Sequence, residues 1–271
     1  MRLLFAALGL ALSVAGAQAQ TLTMAVGAPV TSLDPHFHQL SPNNAAAGMI
    51  FSKLVEDDAN GALRPGLALS WSAVAPDTWE FRLRPDVRFH NGNAFTADDV
   101  AFTFARIPQV PNSPSSFAGF VRPITRIEVV DPLTIRFTTN GPYPLLPMDL
   151  SNLFILDRET HANATTEQFN SGAMAIGTGP FRLVRHANGD RIELERHDGY
   201  YGEAPAFARV VYRMITNDSA RMAALLAGDV DVIDQVPTAD LARLRSDARV
   251  SLSEIMGLRI IFLGLDHGRT D

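Results

Sequence analysis

The residues able to do chemistry are few and thinly spread. His36 and His38 stand one residue apart, a spacing that on an extended segment turns both imidazoles to one side and could hold a metal ion. No clear third ligand accompanies them. Asp98 and Asp99 form a carboxylate pair. They follow Thr96, however, where a helix N-terminus favours negative charge, so they read as helix-start residues rather than as an acid and a base. Gly177-Thr178-Gly179 could cradle an anion, with tight-turn glycine as the preferred reading. The chain has no cysteine, no Gly-x-Ser-x-Gly elbow and no His-Glu-x-x-His pair, and its seven histidines are not spaced against any nucleophile. Catalysis is therefore not expected, and a hydrolase is a remote alternative. No cofactor and no metal site are assigned.

The elements that must position these residues follow from periodicity and turn chemistry. Thr21 to Val26 alternates as a first strand and runs into a loop ending Leu33-Asp34-Pro35, where proline favours an extended approach. A short helix is expected over Asn44 to Leu54. Strands are expected at Trp79 to Leu83 and at Val87 to His90, the latter closed by Asn91-Gly92. Thr96 and Asp99 form a capping-box-like start to a helix that Pro108 closes. Residues 108–123 read as a loop. Ile124 to Val130 and Leu133 to Phe137 form a hairpin around Asp131-Pro132.

Beyond Ser171 the spacing predicts strands at Phe181 to Arg185, Arg191 to Arg196, Val210 to Ile215 and Val230 to Ile233. A helix capped by Asp218 or Ser219 stops at Gly228, and another starts at Thr238. Val250 to Ile255 and Ile260 to Leu265 complete the strands. The fold class is α/β with a mixed sheet, mostly non-parallel in strand order.

With 46% hydrophobic and 19% charged residues the composition is that of a globular chain. A net charge of −6 and a pI near 5.6 speak against nucleic acid as a partner. Residues 1–19 read as a cleavable secretory signal: Arg2 is the basic start, Leu3 to Val14 the apolar run, and Ala17-Gln18-Ala19 the cleavage site. Without cysteine there is neither a lipid anchor nor a disulfide, so a free periplasmic protein is expected.

Several short motifs, in order, carry a family resemblance. They are Leu33-Asp34-Pro35, the block from Gly61 to Trp71, Phe81-Arg82-Leu83-Arg84, Ala97-Asp98-Asp99-Val100, Gly177-Thr178-Gly179-Pro180-Phe181, and Leu225-Leu226-Ala227-Gly228 followed by Asp231. Together these resemble family 5 of the extracellular solute-binding proteins, the peptide- and nickel-binding receptors of ABC importers. The resemblance implies a two-lobed periplasmic-binding-protein fold in which ligand is captured by lobe closure. Lobe I would comprise residues 20–40 plus 171–265, with an α+β subdomain inserted at 41–170. Residues 266–271 would begin the crossover to lobe II. The second lobe is expected to be absent from this chain, so that it binds weakly or not at all.

By the same resemblance, main-chain groups of Ala28, Val30, Thr31 and Ser32 would meet a peptide or similar small solute. Phe37 and His38 would form a wall, Ser116 and Phe117 would overhang the cleft, and Arg259 would meet a carboxylate. The implied partners are the permease subunits of an ABC transporter, and a monomer is expected. A metal-chelate or haem receptor, built on His36 and His38, is the alternative within the family. A third reading is a non-functional half that self-associates through its uncovered face.

Overall fold

The computed structural model describes residues 20–254. In chain order the first elements are β1 (Thr21–Val26), α1 (Ser41–Ile50), β2 (Val55–Asp57), β3 (Leu63–Pro65), β4 (Ala68–Ala75), β5 (Thr78–Leu83) and α2 (Ala97–Arg106). Next come α3 (Ala118–Val121), β6 (Ile124–Asp131), β7 (Thr134–Thr139), α4 (Leu146–Leu150), α5 (Arg158–His161) and α6 (Thr166–Asn170). The last are β8 (Phe181–Ala187), β9 (Arg191–Arg196), β10 (Arg209–Met214), α7 (Asp218–Ala227), β11 (Val232–Ile233) and α8 (Leu241–Arg245).

Beside a small β2-β3 pair, two larger sheets organise residues 20–234. The larger runs β11-β1-β10-β9-β8; β1 lies parallel to both its neighbours, and the pairs beyond β10 are antiparallel. The other is an antiparallel β4-β5-β7-β6 sheet. The mixed α/β architecture expected from the sequence is thus present. Each sheet buries its own apolar face, because alternate side chains of a strand point to opposite sides. Around the four-stranded sheet, Phe81, Leu83, Ile135 and Phe137 pack against Val100 and Phe104 of α2. Around the five-stranded sheet, Val26, Ile192, Leu194, Val210 and Tyr212 share a core with Ala46, Ala47 and Ile50 of α1 and with Phe154, Leu156 and Phe169.

Local chemistry explains the boundaries. Thr96 and Asp99 make a full capping box at the start of α2. Asn217, one residue before the expected cap, accepts from the Ala220 amide and starts α7. Gly228 ends α7 with φ 80°, a left-handed conformation open to glycine. Val87 to His90 is not a strand. Asp86 has φ 59°, and the Asn91-Gly92 turn follows at once, leaving only a bridge between Arg88 and Ala94. The stretch 108–123, expected as loop, contains a short 3-10 turn at Ile107–Gln109 and helix α3.

Residues 235–254 belong to a separate compact unit that carries a 3-10 turn (Thr238–Asp240) and α8. Residues 250–254 form no strand. The signal segment 1–19, Arg259, the strand expected at 260–265 and residues 266–271 lie outside the described residues.

Candidate functional site

The carboxyl ends of β10, β1 and β11 point the same way, and in open α/β sheets the loops at such ends hold ligands. Their common root is built around Arg221, whose side chain is fully buried. Its guanidinium donates to the Ile215 carbonyl at 2.8 Å, the Asp234 carbonyl at 3.2 Å and the Asp218 carboxylate at 2.7 Å. Asp234 in turn accepts from the Gly27 amide at 2.7 Å. A Cβ on Gly27 would meet the Arg221 guanidinium, so glycine lets the chain leave β1 pressed against that cation.

From this root the segment 28–38 continues from the carboxyl end of β1, tethered by side chains from three helices. Asn43 of α1 accepts from the Thr31 amide at 2.9 Å and donates to the Thr31 hydroxyl at 3.0 Å. Asn170 at the end of α6 accepts from the Ser32 hydroxyl and the Leu33 amide, both at 2.9 Å. Arg106, the last residue of α2, grips Asp34 with both arms, at 3.1 and 2.7 Å. The main-chain groups of Ala28 and the carbonyl of Thr31 carry no hydrogen bond among the described residues, and both residues reach solvent. A ligand approaching this edge meets backbone donors and acceptors, the basis of strand addition.

The expected site residues fall into two groups. Thr31, Phe37, His38 and Ser116 are exposed or half-buried, as is Ala28. The 113–117 loop does run beside the segment: Ser113 donates to the Phe37 carbonyl at 2.6 Å, Gln39 N donates to Ser115 O at 3.0 Å, and His38 bridges Ser115. Val30 and Ser32 are buried, and the Ser32 hydroxyl is spent on Asn170. Phe117 does not overhang the cleft. It is fully buried in the core of the four-stranded sheet, beside Phe120 and edge-on to His36, because burying its large apolar ring outweighs exposing it.

The two histidines are not a metal pair. His36 is fully buried, with Nε2 donating to the Phe154 carbonyl at 2.8 Å and Nδ1 facing Arg106 at 3.0 Å. Burial first, and then the adjacent guanidinium, push its pKa down to about 4, which keeps the ring neutral. His38 instead lies against the Thr31 hydroxyl at 3.1 Å. Among the described residues no cluster of three or more histidine, aspartate or glutamate side chains is placed to hold a metal ion. Asp98 and Asp99 belong to the start of α2, with Asp99 turned onto the Thr96 and Arg158 amides. Burial raises the Asp99 pKa, against the pull of those amides.

Gly177-Thr178-Gly179 is neither a tight turn nor an anion cradle. The whole tripeptide is buried between the end of α1 and the 87–95 hairpin, and a Cβ at Gly177 or Gly179 would overlap the Ile50 backbone. Gly179 N donates to Ile50 O at 2.9 Å and His90 N to Gly177 O at 2.8 Å. Around it, His90 accepts from Gly177 N through Nδ1 and donates to Gly179 O through Nε2, while His197 Nδ1 donates to the same carbonyl.

Residues 62–270 match the model of the bacterial extracellular solute-binding proteins, family 5 Middle. The dipeptide-binding protein of Escherichia coli K12 is 30% identical over 92% of this chain and 51% of its own length. The solved structure of DppA from Helicobacter pylori, an ABC transporter-associated periplasmic binding protein in complex with the peptide STSA, aligns with a TM-score of 0.77 at 28% identity. That alignment covers 84% of this chain and 49% of the other. NikZ from Campylobacter jejuni, solved with Ni(L-His), aligns at 0.75 and 27%, covering 84% and 45%. The chain spans about half the length of the curated relatives it matches. The mixed sheet and the match over residues 62–270 agree: the chain belongs to family 5 of the bacterial extracellular solute-binding proteins.

Proposed function

We propose that this chain is the first-lobe portion of the substrate-binding component of an ABC importer for peptides or similar small solutes. The observation that carries the reading is the segment 28–38, which leaves the carboxyl end of β1, is tethered by side chains of α1, α2 and α6, and brings Ala28, Thr31, Phe37 and His38 at least partly to solvent. Ala28 and Thr31 offer main-chain groups to an extended ligand, Phe37 and His38 make a wall, and Ser116 meets it from the neighbouring loop. Val30 and Ser32 act through the backbone they hold in place. Arg259 would receive a ligand carboxylate.

The lobe is built on the five-stranded sheet, joined by α1 and residues 154–175, which share its core. The insertion is built on the four-stranded sheet. The opposite wall of the cleft belongs to the part of the relatives that this chain does not span, so affinity on this side alone is low. Capture proceeds by closure of two lobes around the solute, followed by docking on the permease. Residues 1–19 direct export and are removed, placing a free monomer in the periplasm; no helix among the described residues is long and apolar enough to cross a membrane. The chemistry is binding and release, without turnover.

Titration with trialanine at millimolar concentration, followed by amide chemical shifts, tests this. Saturable shifts within 28–38 and at Ser116, with the peptide recovered intact, are expected. No shift there, or hydrolysis of the peptide, would overturn it.

A further inference from the structure

We infer that Arg106 is a positioning residue for the ligand-facing segment, an inference that rests on the solute-binding reading for its purpose but not for its geometry. Asp34, whose side chain is fully buried, is the point at which that segment is fixed. Its carboxylate accepts from both arms of Arg106, from the Thr166 hydroxyl at 2.8 Å and from the His36 amide at 3.0 Å. Burial alone would raise the Asp34 pKa; the Arg106 guanidinium outweighs it and holds the carboxyl ionised.

The same Arg106 Nη1 faces Nδ1 of His36 at 3.0 Å, and the guanidinium plane lies 5.0 Å from the Phe169 ring centroid. One cation thereby sets the bend from Asp34 to Phe37, which the Phe37 N to Asp34 O bond closes at 3.2 Å. Phe37 and His38, immediately beyond the bend, are half-buried. Arg106 stands on α2, which packs on the four-stranded sheet, whereas Asp34 continues from β1 of the five-stranded sheet. The pair therefore references the ligand edge of one sheet to the framework of the other.

A planar fork, not charge alone, is what this geometry needs, because lysine can satisfy neither two carboxylate oxygens nor the imidazole at once. The test compares wild type with Arg106→Lys and, as a milder change, Thr166→Val, in the full chain. Amide hydrogen exchange is read across 31–38 and across β5, β7 and β9. For Arg106→Lys, exchange at 31–38 should rise at least about tenfold, the equivalent of one lost charged hydrogen bond, with the three strands within about twofold. Thr166→Val should give a rise of about threefold in the same residues, reporting even if the arginine variant folds poorly. An even rise across segment and strands, or none in the segment, would overturn the positioning role.

The trialanine titration separates the two ideas. If wild type responds, the Arg106→Lys midpoint should weaken about tenfold. If wild type shows no response while the exchange pattern holds, the solute-binding reading fails and the positioning of the segment stands.

Discussion

Two stretches of this molecule are fixed by different means. Residues 31–36 are held by side chains reaching in from elsewhere: Asn43, Asn170, Arg106 and Thr166 each give up polar capacity to a segment that has no regular structure of its own. Residues 177–179 are pressed against the Ile50 main chain on one side, with no room for a Cβ at either glycine, and are bonded by the His90 and His197 side chains on the other. The first arrangement can be altered one anchor at a time, because each anchor contributes separately. The second cannot, since any added atom displaces main chain.

The contrast can be broken most severely at the rigid stretch. Gly177→Ala or Gly179→Ala should cost upwards of about 4 kcal/mol, or prevent folding, because backbone must move to admit the methyl group. Denaturant titration by circular dichroism measures this, and a loss under about 1 kcal/mol would show that the joint is softer than its geometry.

Acid comes next and strikes both stretches. Burial holds His90 at about 4, against the pull of the Gly179 carbonyl, and His36 is held at about 4 as well. Both rings are neutral when folded and titrate near 6.5 when unfolded, so the unfolded chain takes up more protons between those values. Stability is complete above about pH 6.5, falls as pH drops, and stops falling from this source below about 4, at roughly 3 kcal/mol per ring. His90→Gln and His36→Gln should each remove part of that slope.

At the adjustable stretch the effects are smaller. Asn43→Ala strips partners from the Thr31 amide and hydroxyl and should cost about 1–3 kcal/mol while leaving the fold intact. Melting temperature gives the cost, and amide exchange shows whether it stays confined to residues 31–38.

Much of the frame was legible because it is written in local chemistry. Thr96 with Asp99, the Asp131-Pro132 turn and Gly228 mark α2, a hairpin and the end of α7 at or within a few residues of their places. Strand β4 escaped because Ala68–Ala75 offers mostly exposed residues, Leu69 and Val74 among them, in place of a clean inside–outside alternation. Helices α4 to α6 escaped because, at four or five residues, they are too short for a 3.6-residue period to register. The 87–90 stretch misled through Val87 and Phe89, which alternate but point into a core from a turn.

At the candidate site, the family resemblance named positions but not the anchors that hold them. Arg106 has meaning only beside Asp34, 72 residues away, and Asn170 only beside Ser32, 138 away. No spacing encodes either pair. Phe117 misled for a related reason: a polar loop gives no period from which to read the direction of one aromatic ring.

The proposed role requires small peptides to meet this chain along residues 28–38. A dipeptide carrying a photoreactive benzoylphenylalanine, irradiated with the protein and mapped by mass spectrometry, tests it even at low affinity. Cross-links on Ala28, Thr31, Phe37, His38 or Ser116, competed away by trialanine, are the predicted result. Cross-links confined to other surfaces, or insensitive to competing peptide, would contradict it.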